Sequence, residues 1–110
     1  MKTAWNENER ELLVWLEGEL DHHEANSVLE ELGPLVDNYL PLRCIMDLGD
    51  LTFMDSSGIA VILGVYRRLY EIGGSLRVEN VPRQAGRVIN AAGVDRIVPV
   101  RTAAERTYIS

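Results

Sequence analysis

Strands that alternate with helices along this chain predict an α/β fold, with a mixed sheet of four or five strands and helices packed on it. Three observations carry the prediction. "RCIMDLGDL" reads as an apolar run without alternation, as a central strand does, and "SLRVENV" reads as another central-type strand. Between and around them run segments with apolar residues at three- and four-residue spacing, as helices require. Turn and cap residues stand where each segment should begin or end: Asp21, Asp55, Gly73-Gly74, Pro82 and Gly93.

The elements follow in order. A short strand around Thr3 to Trp5 is expected to pair, through "NENE", with a second strand formed by Leu13, Val14, Trp15 and Leu16 and ending at Gly18. "DHHEANSVLEELGPLVDNYL" reads as a helix. Asp21 is its N-cap, and Glu24 stands three residues on, as in a capping box. Ala25, Val28, Leu29, Leu32, Leu35 and Val36 form its apolar face, and Gly33-Pro34 is expected to kink or interrupt it. "RCIMDLGDL" is expected to be a central strand covered on both faces. "SGIAVILGVYRRLYEIGG" is the second helix, with Ile59, Ile62, Leu63, Tyr66, Leu69 and Tyr70 as its core stripe and Gly73-Gly74 as its stop. "SLRVENV" is the next strand. "PRQAGRVINAAG" is a third helix, opened by Pro82 and closed by Gly93. "RIVPV" is a short strand placed at an edge by Pro99. "TAAERTYI" reads as a last helical turn or a tail.

At 110 residues the chain is expected to be a single domain over 1–110, with its core over about 11–101. A chain of this size buries about two-thirds of its unfolded surface, enough for a real core. A formal net charge of -6 disfavours DNA or RNA, which select for a basic face. Cys44 is the lone cysteine, so no internal disulfide forms and a reducing, cytoplasmic setting is expected. "MKTAWNENERE" has no apolar signal region, and no stretch approaches the roughly 18 apolar residues of a membrane span.

The chemistry concentrates in "FMDSSG", which joins a strand to the helix after it. In sheets of this kind functional loops gather at such points. Ser56, Ser57 or Asp55 could cap the helix. A nucleophilic serine would need a base, and His22 and His23 are the only histidines; no G-x-S-x-G elbow is present. Adjacent histidines point about 100° apart on a helix and make a poor metal pair, so no metal is expected. "GGS" follows a helix and is no phosphate cradle, so no cofactor is expected. The third reading is a phosphate acceptor. A phosphoserine carries about -1.5 to -2 charges, which a helix N-terminus tolerates and a docked partner would not. A second stripe on the helix, Ser57, Val61, Gly64, Val65 and Arg68, is either buried under a neighbouring helix or exposed as a docking surface beside Ser56.

Three strings, "GELDHHEA", "MDLGDLTFMDSSGIAVILG" and "IGGSLRVENV", together resemble the STAS domain of anti-sigma factor antagonists, most closely the sporulation type. The resemblance runs over nearly the whole chain, in order. It implies a non-enzymatic protein that binds an anti-sigma factor, itself a serine kinase, and so releases a sigma factor. It implies that the kinase, supplying ATP and magnesium, phosphorylates the first serine of D-S-S-G, here Ser56, and that a serine phosphatase restores it. Partner contacts are then expected at Asp21, Asp55, Ser57, Gly58, Val61 and Val65, on a protein with no cofactor of its own, expected to be a monomer. The alternative is an unphosphorylated STAS scaffold in a larger signalling assembly. The sequence departs from the family pattern in a short polar N-terminus, in Ala60 and Val65, and in the bulky "YRRLY".

Overall fold

The computed structural model describes residues 1–103. Its elements are β1 (Lys2–Asn6), β2 (Glu11–Leu20), α1 (His22–Tyr39), β3 (Arg43–Met54), α2 (Ser56–Glu71), β4 (Ser75–Val81), α3 (Arg83–Ala92), a 3-10 turn (Val94–Arg96) and β5 (Val100–Thr102). The five strands form one sheet in sequence order. β1 runs antiparallel to β2, and β2, β3, β4 and β5 run parallel. The short polar N-terminus thus forms a full strand, because "NENER" turns the chain back and every residue of β1 finds a partner on β2. The helical turn or tail expected over 102–109 lies, from residue 104 on, outside the described residues.

Register places the core. Leu12, Cys44 and Leu76 stand side by side on β2, β3 and β4, and Val14, Met46 and Val78 form the next row. All six are buried, and they join buried residues of α1, α2 and α3 in one cluster. Right-handed crossovers between adjacent parallel strands return each helix to the same face of the sheet, which explains why one face holds the core. The opposite face carries Leu13, Trp15, Ile45 and Asp47, all half-buried. The expectation that β3 is covered on both faces is therefore corrected. Its burial alternates through Cys44, Met46 and Leu48, and Ile45 supplies an apolar residue on the thinly covered side.

Three further expectations change. α1 continues through Pro34 to Tyr39 without interruption. Pro34 sits on its exposed side, where water can satisfy the carbonyl that loses its donor. β5 starts at Val100, the last residue of the expected "RIVPV", because Gly93 ends α3 at φ 75 and the chain then winds into the 3-10 turn. On α2 the core face is Gly58, Val61, Ile62, Val65 and Leu69. Ile59, Leu63 and Tyr66 of the expected stripe are only half-buried, and Tyr70 is 72% exposed. The helix is apolar around most of its circumference, so its neighbours decide which side turns inward. The glycines mark that side. A Cβ at Gly64 would lie 3.0 Å from Leu29 Cδ2 of α1, so α1 and α2 approach closely there. An Arg68–Asp37 ion pair at 2.7 Å bridges the same two helices.

Candidate functional site

The loop between β3 and α2 is built from its backbone outward. β3 pairs with β4 only from Arg43 to Asp47, so its last residues lack a strand on that side. Gln84 of α3 supplies what is missing at Met54. The Met54 N–H donates to Gln84 Oε1 and the Gln84 side-chain amide donates to the Met54 carbonyl, both at 2.8 Å. One amide side chain thereby mimics a neighbouring strand, satisfying two partly buried polar groups that would be costly to leave unpaired. On the other side, Leu20 pairs with Met54, and the Asp55 N–H reaches the Leu20 carbonyl at 3.5 Å.

Asp55 then caps α2. Its backbone is extended (φ -114, ψ -167), and its carboxylate accepts from the Ser57 N–H at 2.8 Å. The Gly58 N–H donates to the Asp55 carbonyl at 3.0 Å. The capping role that Ser56 or Ser57 could have filled thus belongs to Asp55. Ser56 is the first residue of the helix and is exposed, and among the described residues its hydroxyl makes no hydrogen bond. Gly58 packs the helix start onto the loop. A Cβ there would fall 2.3 Å from Met54 Cγ and 3.2 Å from Leu20 Cδ2.

Asp21 has the equivalent place on the neighbouring turn. It caps α1, accepting from the Glu24 N–H at 3.0 Å, and remains half-buried. The Leu20–Asp55 contact brings the two capped turns together at the carboxyl ends of β2 and β3. Of the seven site residues expected from sequence, Ser56 is exposed, while Asp21, Asp55 and Ser57 are half-buried. Val61 and Val65 are 0% and 1% exposed, and Gly58 is buried. Of the two readings of the second stripe, burial under a neighbouring helix therefore holds at Val61 and Val65; direct partner contact by these two and by Gly58 does not fit their burial, and the three hold α2 in place.

Beside Ser56 lies an open depression of about 510 Å³ between α2 and α3, lined by Ile59, Gln84, Arg87 and Val88 among others. Neither His22 nor His23 lines it; both are exposed on the first turn of α1. The residues there offer a hydroxyl, an amide and a guanidinium, with no general base. Among the described residues no cluster of His, Cys, Asp or Glu could hold a metal ion. Among the described residues no helix is long and apolar enough to cross a membrane. Sequence reasoning missed Gln84 and Arg87. Neither carries a local signal, because each matters only through the packing of α3 against β3 and α2.

Comparison with known proteins agrees with this architecture. The STAS domain family matches residues 3–106, and the chain belongs to that family. An anti-sigma F factor antagonist of Paenibacillus polymyxa is 35% identical over 89 residues, which cover 81% of this chain and 76% of that protein. An anti-sigma-B factor antagonist of Bacillus subtilis (strain 168) is 31% identical over 99 residues, covering 90% of this chain and 89% of the relative. The solved structure of the anti-sigma factor antagonist SpoIIAA in its unphosphorylated form matches with TM-score 0.75 at 25% identity, over 90% of this chain and 86% of that one.

Proposed function

We propose that this member of the STAS domain family is an anti-sigma factor antagonist, that it binds an anti-sigma factor with serine kinase activity and so frees a sigma factor, and that phosphorylation of Ser56 switches it off. The observation that carries the reading is the division of labour in D-S-S-G. Asp55 holds the helix start, which leaves the Ser56 hydroxyl exposed and unengaged on a rigid loop. A kinase needs such a presented hydroxyl. Ser56 Oγ attacks the γ-phosphorus of ATP, ADP leaves, and the hydroxyl proton passes to a base of the kinase.

The same geometry supports a switch of binding with the fold left alone. The phosphate adds about -1.5 to -2 charges at an exposed site, where the positive end of the α2 macrodipole is mildly favourable. Asp55 and Asp21 stand at the same end of the sheet, after β3 and β2. A partner docked there would meet added bulk, like charge and a desolvation cost. Asp21, Asp55 and Ser57 supply the partly accessible contacts, while Gly58, Val61 and Val65 act through the placement of α2. A phosphatase acting on the exposed ester would reset the protein.

Intact-mass analysis tests this. Wild type, Ser56→Ala and Ser57→Ala are incubated with ATP, magnesium and an anti-sigma kinase encoded by the same genome. One phosphate is expected on wild type and Ser57→Ala and none on Ser56→Ala. Ser56→Asp is expected to keep its fold and bind that kinase at least about tenfold more weakly, close to 1.4 kcal/mol. A kinase that binds the protein but leaves Ser56 unmodified would return the domain to an unswitched scaffold.

A further inference from the structure

The proposed acceptor faces a cation from its own chain. Ser56, at the start of α2, and Arg87, in the middle of α3, line the same open depression. The rest of that lining is apolar or neutral, including Ile59, Gln84, Val88 and Ala91, so Arg87 is the one charged side chain there. Its helix is well anchored. Gln84, three residues earlier and on the same helical face, holds the Met54 backbone at both its N–H and its carbonyl. Arg87 is exposed, and among the described residues no carboxylate lies within ion-pairing distance of it, whereas Arg43, Arg68, Arg77 and Arg101 all have one.

Residues 1–55 hold thirteen Asp and Glu against three Lys and Arg, and residues 56–103 hold three against seven. Ser56 thus opens the basic part of the sequence. Asp55, and Asp21 across the β2–α1 turn, repel an anion added there, and on α3 Arg87 attracts it.

We propose that Arg87 is a receptor in cis for the phosphate on Ser56. The proposal rests on Ser56 being the acceptor. A phosphomonoester offers three strong acceptor oxygens, and the planar guanidinium fork donates to two of them at once. Pairing across the depression draws the phosphate over Ile59, Val88 and Ala91. The phosphorylated state then differs from the free one in the shape of the α2–α3 surface as well as in charge, and a partner that uses this wall loses it.

The test needs no kinase. Phosphoserine is installed at position 56 during translation of the full chain, and the phosphate is titrated by ³¹P NMR. A nearby guanidinium favours the dianion and lowers the second ionisation of the ester. Arg87→Gln is expected to raise that ionisation by about 0.2–0.7 pH units, the range set by exposed ion pairs. Arg87→Lys, which keeps the charge and loses the fork, is expected to fall between the two. Arg67→Gln, on α2 beside Tyr66 and Tyr70, is expected to leave the titration unchanged. A phosphate that titrates identically with Arg87 and with Gln at 87 overturns the proposal. Failure of a kinase to modify Ser56 would overturn the proposed function alone, because the ester here is placed without one.

Discussion

Replacing Gly58 by alanine is expected to destabilise the protein, against the usual preference of helices. Gly58 is the third residue of α2, and a glycine at an ordinary helical position normally gains about 0.5–1 kcal/mol on becoming alanine. Here the added methyl would stand 2.3 Å from Met54 Cγ, 2.7 Å from its Sδ and 3.2 Å from Leu20 Cδ2. Carbon atoms attract best at roughly 3.5–4.0 Å, so the first contact is short by more than an ångström. Met54 and Leu20 are 0% and 2% exposed, so Met54 cannot yield by swinging into solvent. Overpacking of this kind costs about 1–3 kcal/mol. Set against the helical gain, the net loss is up to about 2.5 kcal/mol, read as a lower urea midpoint with unchanged m-value. The second arm is Met54→Ala, which by itself costs about 2–5 kcal/mol through the cavity it leaves. In that background the methyl at 58 has room, and Gly58→Ala is expected to be neutral or stabilising. The cycle should show a coupling of about 1–3 kcal/mol. A Gly58→Ala protein as stable as its parent, with Met54 in place, would refute the packing argument.

Two further outcomes follow from the same region and its strand. Gln84→Ala is expected to cost about 1–3 kcal/mol, because it strips partners from two part-buried backbone groups of Met54, and hydrogen exchange at the Met54 amide should speed up with it. Burial pushes the Cys44 thiol from 9.0 up to about 12, so the folded protein should resist alkylation. The folded state holds that proton after the unfolded chain has released it. This share of stability is therefore complete below pH 9 and is lost as pH rises from about 9 towards 12. Urea midpoints should fall more steeply over that range in wild type than in Cys44→Ala.

Much of the fold was legible because it is written in local terms. Asp21 and Asp55 sit where capping chemistry places them, and Gly73 and Gly93 end their helices at φ 78 and 75. The D-S-S-G loop was legible as a strand-to-helix junction. What was not legible depends on tertiary neighbours. α2 offers two apolar stripes, and periodicity does not choose between them. The choice is made by Gly58 over Met54 and by Gly64 against Leu29, contacts between residues far apart in sequence. Ile45 gave β3 an unbroken apolar run, yet it lies on the thinly covered face. Gln84 looks like any polar helix residue until α3 is set against the unpaired end of β3.

These contacts converge on one property of the D-S-S-G loop. Its backbone is fixed from four directions: by the Asp55 cap, by Gln84, by the Leu20 carbonyl and by Met54 packed under Gly58. None of the four uses the Ser56 side chain. A residue that both capped the helix and accepted a phosphate would lose its cap on modification, at about 0.5–2 kcal/mol, and would pass that loss to the fold. With the cap assigned to Asp55, the modification cost is paid only by whatever docks on the surface. Under the proposed switch, a marginally stable domain of this size would be modified and reset at Ser56 without approaching its unfolding threshold.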